Sequence, residues 1–215
     1  MAEDEATSAR HLTAADYRTT PWRNGNGRTT EIAVSPEGAS IEDDFDWRIS
    51  VADVTADGPF SSFPGHQRSL SLLRGGGLHL DCGEEGDIEL REPFKPVVFS
   101  GDWQITCSLL GAAVRDLNLI HKRDKIAGRV GFLTIEGVPL QSESDADTLV
   151  LYLAEGDPAE IAWDKGSERQ ILREGEALIL SGSSGHALNM VSEGETGEPL
   201  TPQNPLKSSR NFSSV

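Results

Sequence analysis

Glycine and proline, 22 and 11 of them among 215 residues, interrupt the chain at short intervals and confine it to short elements. The stretches between them are rich in Val, Ile, Leu and aromatic residues, and many alternate apolar with polar. That period of two, with turn residues every 8–12 positions, is the pattern of β-strands. Eleven stretches fit it: 31–35, 46–54, 68–73, 77–82, 96–100, 104–110, 114–120, 128–135, 147–155, 159–164 and 176–182. A sustained 3.6-residue apolar stripe is absent, and only HLTAADYRTTP suggests one short helix, with Thr13 as its N-cap. The fold class is all-β. Ten or more short strands suit a barrel or sandwich, and two series of strands, 45–120 and 128–191, suggest two barrels or one barrel with a half-barrel.

Composition narrows the function classes. Lys+Arg number 19 against 35 Asp+Glu, a net charge of −16, so a nucleic-acid partner, which needs a concentrated basic surface, is not expected. Neither a long apolar run nor a basic, apolar-centred leader is present, which points to a cytoplasmic protein without a membrane partner. Cys82 and Cys107 lie too far apart for a CxxC pair and are expected as buried thiols.

Three segments carry more polar chemistry than a structural role requires. In PWRNGNGRTTEIAVSP (21–36), two Asn-Gly pairs mark a tight bend. As a functional loop it would place Arg23, Asn24 and Glu31 over a pocket; the plainer alternative is a hairpin with a Trp anchor. In the strand 46–54, Trp47, Ile49 and Val51 face one way, and Arg48, Ser50 and Ala52 the other. The second face is either wet or the wall of a cavity. The following GPFSSFPG adds Phe60 and Ser61 before Arg68 opens the next strand. In the strand 114–120, Asp116 and Asn118 share one face of an otherwise apolar run, where unpartnered burial costs roughly 1–3 kcal/mol each. Arg48, Ser50, Asp116 and Asn118 are therefore expected to line one cavity, with Arg23, Asn24, Phe60, Ser61 and Arg68 at its rim.

Other constellations are weaker. The five histidines (His11, His66, His79, His121 and His186) form no HxH pair, and no metal or other cofactor is expected. A triad of Ser61, His66 and Asp116 lacks supporting spacing, and no GxSxG elbow exists. RGGG (74–77) lacks the GK[ST] of a phosphate loop and reads as a tight hairpin turn.

The segments WRNGNGRTTEIAVSP, FDWRISVADV, DGPFSSFPG, RSLSLLRGGG, FSGDW and RDLNLI occur in order over residues 12–123 and resemble the HutD/Ves family. The resemblance implies a bicupin, two cupin-type β-barrels in one chain, with a regulatory role in histidine utilisation and an N-formylglutamate-type ligand. On that basis we expect a mobile segment 1–11, a ligand-binding barrel 12–123, a second barrel 124–192 and a flexible tail 193–215. The expected function is sensing of a small carboxylate metabolite without turnover. The alternatives are a metal-independent isomerase or hydrolase, using Asp116 or Glu31 as base and Arg48 or Arg68 to stabilise negative charge, and a scaffold for a pathway enzyme. Strand edges could be covered within the chain or in a homodimer.

Overall fold

A computed structural model of the chain describes residues 7–42, 44–135, 138–182, 186–192 and, for the backbone, 211–214. In chain order the strands are β1 (Ser8–Leu12), β2 (Arg18–Pro21), β3 (Gly27–Ser35), β4 (Trp47–Val54), β5 (Gly58–Phe60), β6 (His66–Arg74), β7 (Leu78–Asp81), β8 (Asp87–Leu90), β9 (Val97–Ser100), β10 (Ile105–Leu109), β11 (Val114–Lys122), β12 (Gly131–Thr134), β13 (Leu140–Ser144), β14 (Thr148–Glu155), β15 (Ala159–Trp163), β16 (Glu168–Leu172), β17 (Ala177–Ser181), β18 (His186–Ser192) and β19 (Asn211–Ser214). Two single 3-10 turns, at 83–85 and 164–166, are the only helical elements among the described residues. None of these is long and apolar enough to cross a membrane.

The chain forms two compact units. One runs from Asp16 to Val130; the other combines Met1–Ala15 with Gly131–Val215. In the 16–130 unit a six-stranded sheet, ordered β2-β3-β4-β11-β6-β9, packs on a four-stranded sheet, β5-β10-β7-β8. Val54, Leu70, Leu72 and Val114 from the first meet Leu78, Leu80, Ile105 and Cys107 from the second in one core. The other unit repeats the plan, with sheets β1-β17-β14-β19-β12 and β13-β18-β15-β16 around Leu151, Leu153, Ile161, Leu178 and Met190. Each unit is thus a pair of facing sheets rather than a closed hydrogen-bonded barrel. Both cysteines are buried with free thiols, and burial pushes that of Cys107 up to about 12.

Several local expectations change. The helix expected near residue 13 is a turn, because β1 and β2 leave only five residues between them; the Thr13 hydroxyl accepts the Ala15 N–H there at 3.3 Å. Residues 8–11, expected to be mobile, lie with Leu12 in β1, which pairs antiparallel with β17 from Ser8↔Ser181 to Leu12↔Ala177. Much of the expected tail lies outside the described residues, but Asn211–Ser214 pairs with both β12 and β14. The division between units falls after Val130 rather than after Arg123. RGGG is not a hairpin turn: it carries the chain from β6 in one sheet to β7 in the other. Its glycines are needed there. A Cβ on Gly76 would lie 2.4 Å from the Ala112 nitrogen, and Gly75 and Gly77 have φ of +115° and +106°.

Candidate functional site

The register of the central strands decides which side chains share the interior. Asn118 on β11 lies opposite Ser50 on β4 and Leu70 on β6; Asp116 lies opposite Ala52 and Leu72; Ile120 lies opposite Arg48 and Arg68. Glu31 on β3 lies opposite Ser50. Directly paired residues point to the same side of a sheet. Glu31, Arg48, Ser50, Arg68, Asp116 and Asn118 therefore share the face that carries the core residues Leu70 and Leu72. Ile49, Val51, Leu117 and Leu119 occupy the reverse face, as their alternation predicts, and are buried as well.

Five of these six polar residues are buried, Asp116 to 2% exposure and Arg68 to 5%. Their hydrogen bonding is incomplete. Arg48 donates from Nε to Glu31 Oε2 at 2.6 Å and from Nη1 to Ser50 Oγ at 3.4 Å. Arg68 donates from Nη1 to the Ser61 carbonyl at 3.1 Å, and its guanidinium carbon lies 5.3, 5.5 and 5.1 Å from the ring centres of Phe60, Phe63 and Phe99. Three aromatic neighbours at that range hold a desolvated cation by its attraction to their ring faces. Arg68 Nε, Asp116 Oδ2 and Asn118 Oδ1 have no protein hydrogen-bond partner. A cation donor and two acceptors are thus left unsatisfied together on one inner face of an apolar unit, where each costs free energy until something pairs with it.

The electrostatics follow from burial. Desolvation pushes the Asp116 carboxyl up to about 7, with Arg68 opposing and Asp53 assisting. Desolvation also pulls Arg68 down to about 10; Asp116 opposes that and Arg48 adds to it. Arg68 nonetheless stays cationic at neutral pH.

Two rim residues expected from sequence do not join this face. Arg23 and Asn24 sit in the β2–β3 hairpin, closed by Trp22 N–H to the Gly27 carbonyl at 2.9 Å. The side chain of Arg23 is 99% exposed and its partner is Glu42 at 3.9 Å, while Asn24 accepts the N–H of Asn26 at 3.0 Å. The tight bend takes both as turn residues. Ser61 contributes its carbonyl to Arg68, and Phe60 its ring.

Sequence reasoning missed Phe63, Phe99 and the ties that seat the loop after β5. Asp102 accepts the Gly65 N–H at 2.7 Å and also accepts from Arg123 and Ser100, and these three bonds, that from Gly65 foremost, hold its carboxyl down at about 2. Phe63 N–H donates to the Gly101 carbonyl at 2.7 Å. The second phenylalanine of FSSF was a visible signal for Phe63; Phe99 needed the pairing of β9 with β6. A Cβ on Gly101 would lie 2.4 Å from the Phe63 carbonyl oxygen and 2.9 Å from that of His66. Gly101→Ala must therefore shift the loop that covers Arg68. We expect it to cost about 1–3 kcal/mol by urea denaturation, as overpacking does; an unchanged midpoint would mean that the loop yields freely.

The donor set does not fit a metal ion. Two guanidiniums dominate the face, and a cation gives a metal nothing to bind. His66 has a backbone carbonyl beside each ring nitrogen, Pro64 at 3.0 Å from Nδ1 and Phe45 at 3.2 Å from Nε2, so both contacts are with backbone rather than with the polar side chains of this sheet. His121 projects from the reverse face of β11, and His11 pairs with Glu176 in the other unit. Among the described residues no group of three or more His, Cys, Asp or Glu could hold a metal.

The HutD family model matches residues 14–197. The chain belongs to the HutD family. An uncharacterized 21.2 kDa protein encoded in the hutC 3′ region of Pseudomonas putida is 40% identical over 144 residues, 66% of this chain and 72% of that one. The Ves protein of Citrobacter koseri is 36% identical over 51% of this chain and 56% of its own. Among solved structures, a conserved Pseudomonas aeruginosa PAO1 protein of unknown function superposes with a TM-score of 0.81 at 33% identity, covering 96% of this chain and 97% of that one. HutD from Pseudomonas fluorescens SBW25, in a formate condition, gives 0.73 at 26% identity over the same shares. Bacillus subtilis oxalate decarboxylase, at 8% identity and a TM-score of 0.62 over 95% of this chain and 76% of its own, shares the cupin arrangement alone. The fold of this HutD-family chain is accordingly all-β and cupin-like, with facing sheets in place of closed barrels.

Proposed function

We propose that the 16–130 unit of this HutD-family protein binds a small carboxylate metabolite of the N-formylglutamate type, senses it without converting it, and so regulates histidine catabolism in the cytoplasm. The unsatisfied trio of Arg68 Nε, Asp116 Oδ2 and Asn118 Oδ1 carries this reading. Arg68 offers a carboxylate a charge-assisted donor, and the Asn118 oxygen accepts from an amide N–H. Arg48 and Ser50 extend the same wall, with Glu31 as the counter-ion of Arg48. The family membership and the hut-region location of the P. putida relative support the pathway assignment.

Isothermal calorimetry with N-formyl-L-glutamate tests the reading, with chromatography of the recovered ligand to detect turnover. Arg68→Lys keeps the charge but loses the planar fork. We expect it to weaken binding by about 1.5–3 kcal/mol, the range for a hydrogen bond to a charged group, or about 10- to 150-fold in Kd. Arg129→Ala, outside the polar face, should bind as the wild type does. Equal affinities in all three proteins would defeat the assignment. One observation favours the enzymatic alternative: Asp116, pushed up to about 7, suits general acid–base work at neutral pH. Conversion of the ligand that disappears in Asp116→Asn would establish it. Glu31 is the poorer base, because Arg48 already occupies its Oε2.

A further inference from the structure

Asp116 sits on the middle strand of its sheet, between β4 and β6, with 2% of its surface exposed and Oδ2 unpartnered. The charged and titratable groups around it come from several strands. Arg68 on β6 and Arg48 on β4 share its face, and Glu31 on β3 neutralises Arg48. Asp53 acts from the reverse side of β4, and Cys107 from β10 in the facing sheet, its thiol kept neutral by burial. With Asp116 ionised, Arg48, Arg68, Glu31 and Asp116 sum to zero. A carboxylate entering beside Arg68 would leave the interior with an uncompensated negative charge, at a cost no such site sustains. With Asp116 protonated the same four groups sum to +1, and the complex with a monoanion is neutral.

We propose that this site takes up its anion together with one proton, which Asp116 holds, so that carboxylate affinity rises as the medium becomes more acidic. The inference rests on the carboxylate-binding reading above and adds its regulation. The incoming anion acts on Asp116 in two ways, both in one direction. It engages the Arg68 charge that otherwise favours the ionised carboxyl, and it places a like charge beside it. Burial, with Asp53 assisting and Arg68 opposing, already brings the free carboxyl to about 7, so the coupled window lies just above neutrality. Below that window Asp116 is protonated before the ligand arrives, and affinity levels off. Protonated, Asp116 also gains an O–H with which to donate to the bound carboxylate.

The test is calorimetry of formate, a monoanion, and of N-formyl-L-glutamate, which brings one of its two carboxylates to Arg68, at pH 8 in HEPES and in Tris, whose heats of ionisation differ. The difference in apparent heat reads the protons exchanged per ligand bound. We expect net uptake approaching one proton in the wild type, and a Kd that rises with pH between 7 and 8.5 toward about tenfold per pH unit. Asp116→Asn should show neither the buffer dependence nor the pH slope. Wild-type binding with no buffer dependence would overturn the coupling while leaving the carboxylate reading intact. Undiminished uptake in Asp116→Asn would overturn it too, by placing the proton elsewhere. Failure of both probes to bind at any pH would remove the reading and the inference together.

Discussion

Asp116→Asn should be more stable than the wild-type protein at pH 8, by on the order of 2–4 kcal/mol, with the gap closing as the pH falls toward 4. The cause is the interior position of this carboxyl, which burial pushes from 3.8 up to about 7. Between those two values the folded protein holds a proton that the unfolded chain has released. A raised carboxyl therefore contributes stability that is fully present below the unfolded value and is lost as pH rises through the folded one. At pH 8 the wild type must bury a carboxylate whose Oδ2 has no partner, whereas the asparagine carries no charge to bury. Urea denaturation of both proteins at pH 5, 6, 7 and 8 measures the gap directly. A difference that stays constant over that range would place Asp116 in contact with solvent.

Arg48→Ala should behave in the opposite way, losing about 3–5 kcal/mol, because it leaves a largely buried charge without its partner. Glu31 receives Arg48 Nε at 2.6 Å, and their side chains are only 15% and 8% exposed. Removing the guanidinium strands the carboxylate and opens a void as large as the lost side chain. The double replacement Glu31→Gln with Arg48→Met removes both charges while keeping most of the volume, and should recover most of the loss. Equilibrium unfolding of the single and double variants provides the comparison. A double variant no better than Arg48→Ala alone would show that the cost comes from packing rather than from the stranded charge.

The part of the site that lies on strands was legible in the sequence. Alternation along 46–54 and 114–120 put Arg48 with Ser50 and Asp116 with Asn118, and the register of β4 against β11 then sets both pairs on one side, as expected from sequence. Whatever depends on turns and topology was not. Arg23 and Asn24 looked poised over a pocket because a polar bend beside a strand can close either inward or outward, and only the Trp22–Gly27 closure decides which. RGGG has the composition of a hairpin turn, but which sheet the next strand joins is a non-local outcome that four residues do not encode. The aromatic surroundings of Arg68 come from the end of β5 and the loop after it and from β9, separated by more than thirty positions in sequence. The number of strands suited a barrel or a sandwich, and barrels were what the two strand series and the family resemblance implied. The count alone does not say whether their edges close by hydrogen bonds or by side-chain packing, and here the facing sheets share a core.

The pairing of β1 with β17 bears on the order in which the protein can be made. The 16–130 unit is continuous in sequence, so every strand it needs has left the ribosome before the 131–215 part of the other unit has begun to emerge. The second unit has to wait. Residues 8–12 are synthesised first, yet their partner at 177–181 comes about 170 residues later, so β1 spends most of synthesis as an unmatched edge. Closing so long a loop is slow in an isolated chain, but here the intervening segment can already be folded and compact, which shortens the distance the two ends must cover. The unit that carries the polar face is then the early folder, and the other unit is completed from segments that precede and follow it in sequence. A chain cut after Val130 would separate β1 from β17 and expose the edge along Ala177–Ser181 that β1 covers in the intact protein.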